Sequence, residues 1–225
     1  MNPFSRNLLA LIAGFCDTAT FIHMGGVFSA HVTGNFVLFA AAIAQGLQAD
    51  DYLKIVTLPV FVIAVMVAML IGGKRALPRR KVRRILIAIT LLMLLAALLA
   101  VAGTQKTPAN RPGDLDVLIT LLLVVAMAMQ NTIHRFITGP MTTVMTGMVM
   151  NTTAGLVDQF ILRTAEDAQK LPTTDVNPII MIATFALGCL ISGFLTVSFG
   201  LASIALPAGL LCLVLVVEHR SAEPD

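Results

Sequence analysis

Apolar residues run through this chain in blocks of a size that crosses about 30 Å of hydrocarbon, which takes about 20 helical residues. Six such blocks are legible, at 8–23, 55–73, 85–103, 115–133, 178–196 and 199–217. Two further apolar stretches, 31–47 and 143–162, differ because each carries a Thr-Gly pair, Thr33-Gly34 and Thr146-Gly147. The pattern predicts an all-α polytopic membrane protein, and those two stretches decide its topology.

Lys and Arg in short loops favour the cytoplasmic side. The cluster Lys74, Arg75, Arg79, Arg80, Lys81, Arg83 and Arg84 is cytoplasmic on any reading. If both Thr-Gly stretches span, giving eight crossings and parallel repeats, the cytoplasmic side holds 8 of the 15 basic residues and the outside 7. If both enter and leave on one side, giving six crossings, Arg6, Arg163, Lys170 and Arg220 move inside. The count becomes 12 against 3. The second arrangement has a normal bias. It predicts about six transmembrane helices in two inverted repeats, each with a broken or re-entrant Thr-Gly helix, and both termini cytoplasmic.

Composition agrees. Hydrophobic residues make up 57% and charged residues 12%, with a mean hydropathy of +0.90. That is more apolar surface than a soluble domain of this size uses. A single membrane domain over 1–225 is expected, with repeat 1 at about 7–103, a polar linker at 104–114 and repeat 2 at about 115–217. The basic 74–84 loop is expected to meet anionic lipid rather than nucleic acid. Arg6 and the following apolar run imitate a secretory signal. Asp17 interrupts that run and no A-x-A-like site follows, so an uncleaved first helix is expected. Cys16, Cys189 and Cys212 lie in apolar segments without metal or redox spacing and read as small core residues.

The repeat carries the candidate site. Sliding the chain by 113 residues places Asp17 on Gln130, Gly26 on Gly139, Thr33 on Thr146 and Gly34 on Gly147. Glycine-broken segments in corresponding positions of two halves point to a transporter-type binding site. A half-helix starting near Thr33 would present backbone N–H groups and a positive dipole end to a ligand. Thr33, Gly34 and Asn35 in one half, with Thr146, Gly147, Gln130 and Asn131 in the other, form the expected substrate-binding set. The competing reading is that small residues simply let helices pack closely.

Asp17 is the sharpest single residue. A carboxylate inside a membrane helix is costly, so it faces a cavity or a partner. Proton carrier, cation ligand and structural partner of a hydroxyl or of Asn131 all remain open; its counterpart Gln130 is neutral. Asp158, His31 and Arg135 are secondary candidates, with Arg135 near the cytoplasmic mouth. No metal or cofactor site follows from the spacing, and the methionines read as adaptable packing.

The pattern AGFCDTATFIHMGGVFSAHVTGN, followed by QNTIHR and TTVMTG, resembles the YoaK-like family of bacterial membrane proteins (domain of unknown function 1275). Asp17, Gly25, Gly26, Phe28, Thr33, Gly34, Asn35, Gln130, Asn131, Thr146 and Gly147 carry the likeness. His31, Val32 and Met148 depart from it. The resemblance implies a bacterial inner-membrane protein of about six helices and brings no activity with it.

The expected function is a small-solute transporter or channel, proton-coupled through Asp17, with its site between the two Thr-Gly elements. The alternative is a non-transporting accessory protein that binds lipid or a partner. An enzyme is not expected, because no HExxH, paired carboxylates or nucleophile with a nearby base is present. Homo-oligomerisation stays open.

Overall fold

The computed structural model describes residues 1–48, 51–73, 77–103, 113–137, 145–157 and 177–220. These form eight α-helices: α1 Pro3–His23, α2 Gly34–Gln45, α3 Tyr52–Gly72, α4 Pro78–Ala102, α5 Asp114–Ile133, α6 Met145–Val157, α7 Pro178–Phe199 and α8 Ala205–Arg220. The order is long, short, long, long, and then the same again. No strand occurs among the described residues.

Local chemistry starts several of them. Asn2 caps α1 by accepting from the Phe4 N–H at 2.9 Å, with Pro3 in the first turn. Asn177 does the same for α7 through Ile179, ahead of Pro178. Proline fits there because a first-turn N–H has no partner inside the helix. Asp116 reaches back to the Gly113 N–H at 2.9 Å and closes the start of α5.

Four helical stretches are long and apolar enough to cross a membrane: Tyr52–Gly72, Pro78–Ala102, Asp114–Ile133 and Pro178–Arg220. The last contains α7 and α8, joined by a 3-10 turn at Gly200–Ile204 in which Gly200 adopts φ +58°. The chain reverses there. Gly200 lies against His23 at the end of α1, whereas Glu218 of α8 accepts from the Asn2 N–H at the start of α1. Those two places are about 30 Å apart on α1 at 1.5 Å per residue. The expected separate blocks 178–196 and 199–217 are therefore two antiparallel helices. α1 has the length to cross but is not among the four stretches. The middle of its surface is covered by protein, with Leu9, Ala10, Ile12, Ala13, Phe15, Cys16 and Ala19 all buried. A helix so enclosed can carry Arg6 and Asp17 without showing them to lipid.

Contacts fix the other directions. His23 pairs with Asp116 at 3.3 Å, and Gln130 reaches the Leu9 carbonyl at 2.9 Å, so α1 and α5 run antiparallel. Leu53 sits by Val117 and Leu121, and Gly72 by Phe136, so α3 and α5 run parallel. α1 and α7 are also parallel. They approach so closely that a Cβ on Gly188 would lie 2.1 Å from the Leu11 carbonyl oxygen, and one on Gly14 2.3 Å from that of Phe185. Ser192 then donates to the Phe15 carbonyl at 2.8 Å.

The halves interlock. α1 packs on α7 and α8, α5 packs on α3 and α4, and α4 meets α8. The two short helices lie outside this core, α2 on α3 and α6 on α7. Large apolar side chains cover the exterior, among them Leu70, Leu98, Phe194 and Val197. That is the surface a lipid-facing helix presents and a soluble one avoids. This is a helical membrane protein.

Candidate functional site

After α1 the chain turns at Gly25 and Gly26, with φ of +63° and +96°, a region where a side chain would be strained. It then runs as an irregular loop, 24–33, before α2. The loop is not a surface feature. Met24, Val27, Ser29, Ala30 and Val32 are buried. Backbone away from water needs internal partners, and two side chains supply them.

Asp17, 4% exposed on α1, is the first. Its Oδ1 accepts from the Ala30 N–H at 2.6 Å, from the Ser29 hydroxyl at 3.3 Å and from the His31 N–H at 3.4 Å. Its Oδ2 pairs with His31 Nδ1. The donors offset the cost of burying the carboxylate. Asn35, in the first turn of α2, is the second. Its Oδ1 accepts from the Phe28 N–H at 2.8 Å, while Nδ2 donates to the Phe28 carbonyl and the Thr57 hydroxyl, each at 2.9 Å. Both of its amide hydrogens and its oxygen are engaged.

The His31 ring stands edge-on to Phe28 and to Phe185 of α7, with centroids 6.3 and 5.9 Å away. Asp17 and His31 thus sit where α1, the loop and α7 meet. The His31 side chain remains 37% exposed, so the pair is buried on one side and approachable on the other. Above the turn, the Lys54 stem lies over Gly26 and its ammonium pairs with Asp51. Lys54, with the Gln48 N–H, holds the Asp51 carboxyl below the usual carboxylate range.

The structure brings some of the expected residues together and keeps others apart. Asp17, His31 and Asn35 belong to one assembly. Thr33 is exposed and makes no capping bond. The N–H groups of Gly34, Asn35 and Phe36 donate to the carbonyls of His31, Val32 and Thr33, so the first amides of α2 are taken within the chain. Gln130 is fully buried and meets α1 at Leu9, eight residues or about 12 Å along the helix from Asp17. Asn131 is half-buried and Arg135 exposed beyond the end of α5. Thr146 is exposed and Gly147 half-buried on α6, whose Met145 and Met148 pack against Ala10 and Met181. Asp158 and Gly139 lie outside the described residues.

Ser29, Thr57, Phe185 and the pair Gly14 and Gly188 were not singled out by the sequence pattern. The two glycines had a usable signal, because Gly14 with Thr18 and Gly188 with Ser192 are small residues four apart in apolar helices. The loop contacts had none.

With this geometry in view, the family model described as Protein of unknown function (DUF1275) matches residues 7–217. The chain belongs to this family. A stretch of 68 residues is 37% identical to the UPF0700 transmembrane protein YoaK of Bacillus subtilis (strain 168), covering 30% of this DUF1275 chain and 30% of that protein's length. No solved structure matches the chain.

Proposed function

We propose that this DUF1275 protein is a small-solute transporter or channel, proton-coupled through Asp17 with His31 as its partner. The observation that carries the reading is the Asp17–His31 pair, set inside the bundle and tied to a buried irregular loop. A carboxylate–imidazole pair that also anchors a buried backbone segment would link proton occupancy to access. This moves the centre of the site from the Thr-Gly pairs to the carboxylate and imidazole, with Gln130 holding α5 to α1 at Leu9.

The helix directions support an inverted repeat. Exchanging α1 with α5, α3 with α7 and α4 with α8 carries the packing of α1 on α7 and α8 onto that of α5 on α3 and α4, and the exchanged helices α1 and α5 are antiparallel. Inverted repeats around a central site are a transporter architecture. Six long helices then cross. α2 and α6, 12 and 13 residues long, reach about 20 Å and fall short of the hydrocarbon thickness. The start of α1, the end of α8 and the basic residues opening α4 share one end of the bundle, which positive charge assigns to the cytoplasm of an inner membrane, in contact with anionic lipid.

The test is proton flux in proteoliposomes bearing a pH-sensitive dye, driven in turn by inorganic oxyanions, carboxylates, amino acids, nucleobases and sugars. Wild type is expected to respond to one class, and Asp17→Asn and His31→Gln to lose at least about tenfold of that proton movement. Wild-type vesicles no more permeable than empty ones for every solute would end the transport reading. Solute-driven proton flux intact in both variants would end the role of the pair.

A second reading, a non-transporting accessory protein, is favoured by the engagement of every polar group on Asn35. On that reading Asp17 and Asn35 only brace the loop, and no catalytic chemistry is proposed on either.

A further inference from the structure

From Ser192 onward the α1–α7 seam turns polar. Ser192, Thr196 and Ser203 are 0%, 3% and 7% exposed. Ser192 donates to the Phe15 carbonyl and Ser203 to the Gly200 carbonyl, each at 2.8 Å. The Thr196 hydroxyl stands between them, 3.3 Å from that of Ser192 and 3.1 Å from that of Ser203. A hydroxyl holds one hydrogen. With both serine hydrogens directed at carbonyls, Thr196 can supply only one of its two contacts. Four contacts therefore share three hydrogens, and in one of them two oxygens meet lone pair to lone pair. Thr196 differs here from Thr90 and Thr132, buried in α4 and α5. Those two donate to the carbonyl four residues back, at 2.8 and 2.9 Å, which is where a helical hydroxyl commonly directs its hydrogen.

The backbone around this chain of hydroxyls is rich in acceptors. Thr196 lies in the last turn of α7, which ends at Phe199. Carbonyls of a last turn have no helical N–H partner and carry the negative end of the helix dipole. The chain then passes through the 3-10 turn Gly200–Ile204, where Gly200 at φ +58° turns its carbonyl to Ser203. Unwound carbonyls and helix C-terminal ends are what transporters turn toward a sodium ion or a proton. Neutral oxygens this close together suit a small monovalent cation, whereas calcium and magnesium sites draw on carboxylates. Gly200 is half-buried and lies against His23, so the turn is reached from the end of the bundle where His23 pairs with Asp116.

We propose that Ser192, Thr196 and Ser203, with the Gly200 carbonyl, form a binding point for a sodium ion at the junction of α1, α7 and the 3-10 turn. The ion takes lone pairs from Thr196 and Ser203 and the second lone pair of the Gly200 carbonyl. Thr196 keeps its hydrogen for Ser192, and the two serines keep theirs for the carbonyls. Each of the four contacts then holds a hydrogen or the cation. This deepens the transport reading by naming a second coupling ion, and it rests on that reading only for what the binding accomplishes.

The experiment uses the full chain, purified in neutral detergent and choline chloride. Sodium, lithium and potassium chloride are titrated in at constant ionic strength, read by melting temperature and by the sodium NMR line width. A saturable rise in melting temperature with sodium is expected, smaller with potassium and absent with choline. Thr196→Val keeps the shape and removes the hydroxyl, and is expected to weaken the sodium response at least about tenfold. Thr196→Ser restores the hydroxyl and should stay within about threefold of wild type. Ser203→Ala, which bears the test if Thr196→Val does not fold, is expected to weaken the response several-fold. Equal responses to sodium, potassium and choline in wild type overturn the proposal. So does wild-type sodium affinity in both Thr196→Val and Ser203→Ala, even where their melting temperatures in choline fall, since hydroxyls that only hold the helices together give that pattern. Saturable sodium binding without any solute flux by wild type would sink transport and keep the site. Solute-driven proton flux in choline, with no sodium response in the melt, would do the reverse.

Discussion

At the scale of single residues, the close approach of α1 and α7 depends on two missing side chains. Gly14 and Gly188 let α1 and α7 come within backbone contact, and a Cβ at Gly188 would meet the Leu11 carbonyl oxygen at 2.1 Å and its carbon at 2.9 Å. Backbone cannot rotate away as a side-chain tip can. Gly188→Ala is therefore expected to cost about 1–3 kcal/mol, the range for forced overpacking, seen as a lower melting temperature in detergent. Gly155→Ala, where a Cβ meets nothing within 4 Å, is the matched control and should melt as wild type does. The sequence showed that small residues were present, but not which helices they join, because the partner of each lies more than 170 positions away. Asp17 was legible for a related reason. A charge inside an apolar run announces burial whatever surrounds it, while Ser29, Ala30 and His31 reach it through a loop that no periodicity encodes.

At the scale of elements, the loop 24–33 and α2 behave as one unit pinned at two points. The Thr-Gly pair did mark a helix start, since α2 begins at Gly34. What the pattern left hidden is that the first amides of α2 turn back onto His31, Val32 and Thr33. Local 3-10 hydrogen bonds compete with a ligand for the same donors, and sequence spacing does not distinguish the two outcomes. Asn35 holds both backbone groups of Phe28. Asn35→Ala leaves them without that partner and is expected to cost about 1–3 kcal/mol. Hydrogen exchange at the Phe28 amide should accelerate before α1 or α3 is affected. Exchange unchanged at Phe28 would mean that the loop is held by something other than this side chain.

At the scale of the whole molecule, the start of α1 and the end of α8 lie together, joined by the Asn2–Glu218 hydrogen bond. The end of α1 and the start of α3, which flank α2, lie at the same end of the bundle, where Met24, Val27 and Leu53 cluster. Block lengths gave the six long helices to within about seven residues, the largest misses being the starts of α4 and α8. The interlocking of the halves was not readable, because hydropathy describes each helix and not its neighbours. Labelling settles the topology. In a chain freed of its three cysteines, Leu77→Cys and His219→Cys are expected to react with an impermeant thiol reagent from the cytoplasmic side, and Leu47→Cys from outside. His219→Cys reacting together with Leu47→Cys would support eight crossings instead.

The bond from Ser192 to the Phe15 carbonyl joins residues 177 positions apart, and this separation becomes a delay when the chain is made. At about 5–20 residues per second, α1 emerges roughly 9–35 s before its main neighbour α7 exists. During that interval a helix bearing Arg6 and Asp17 must be shielded from lipid by the insertion machinery or by a holding chaperone. A ribosome that stopped after the first half would release a segment whose central helix has lost its two main partners, and such a fragment is a natural target for membrane quality control.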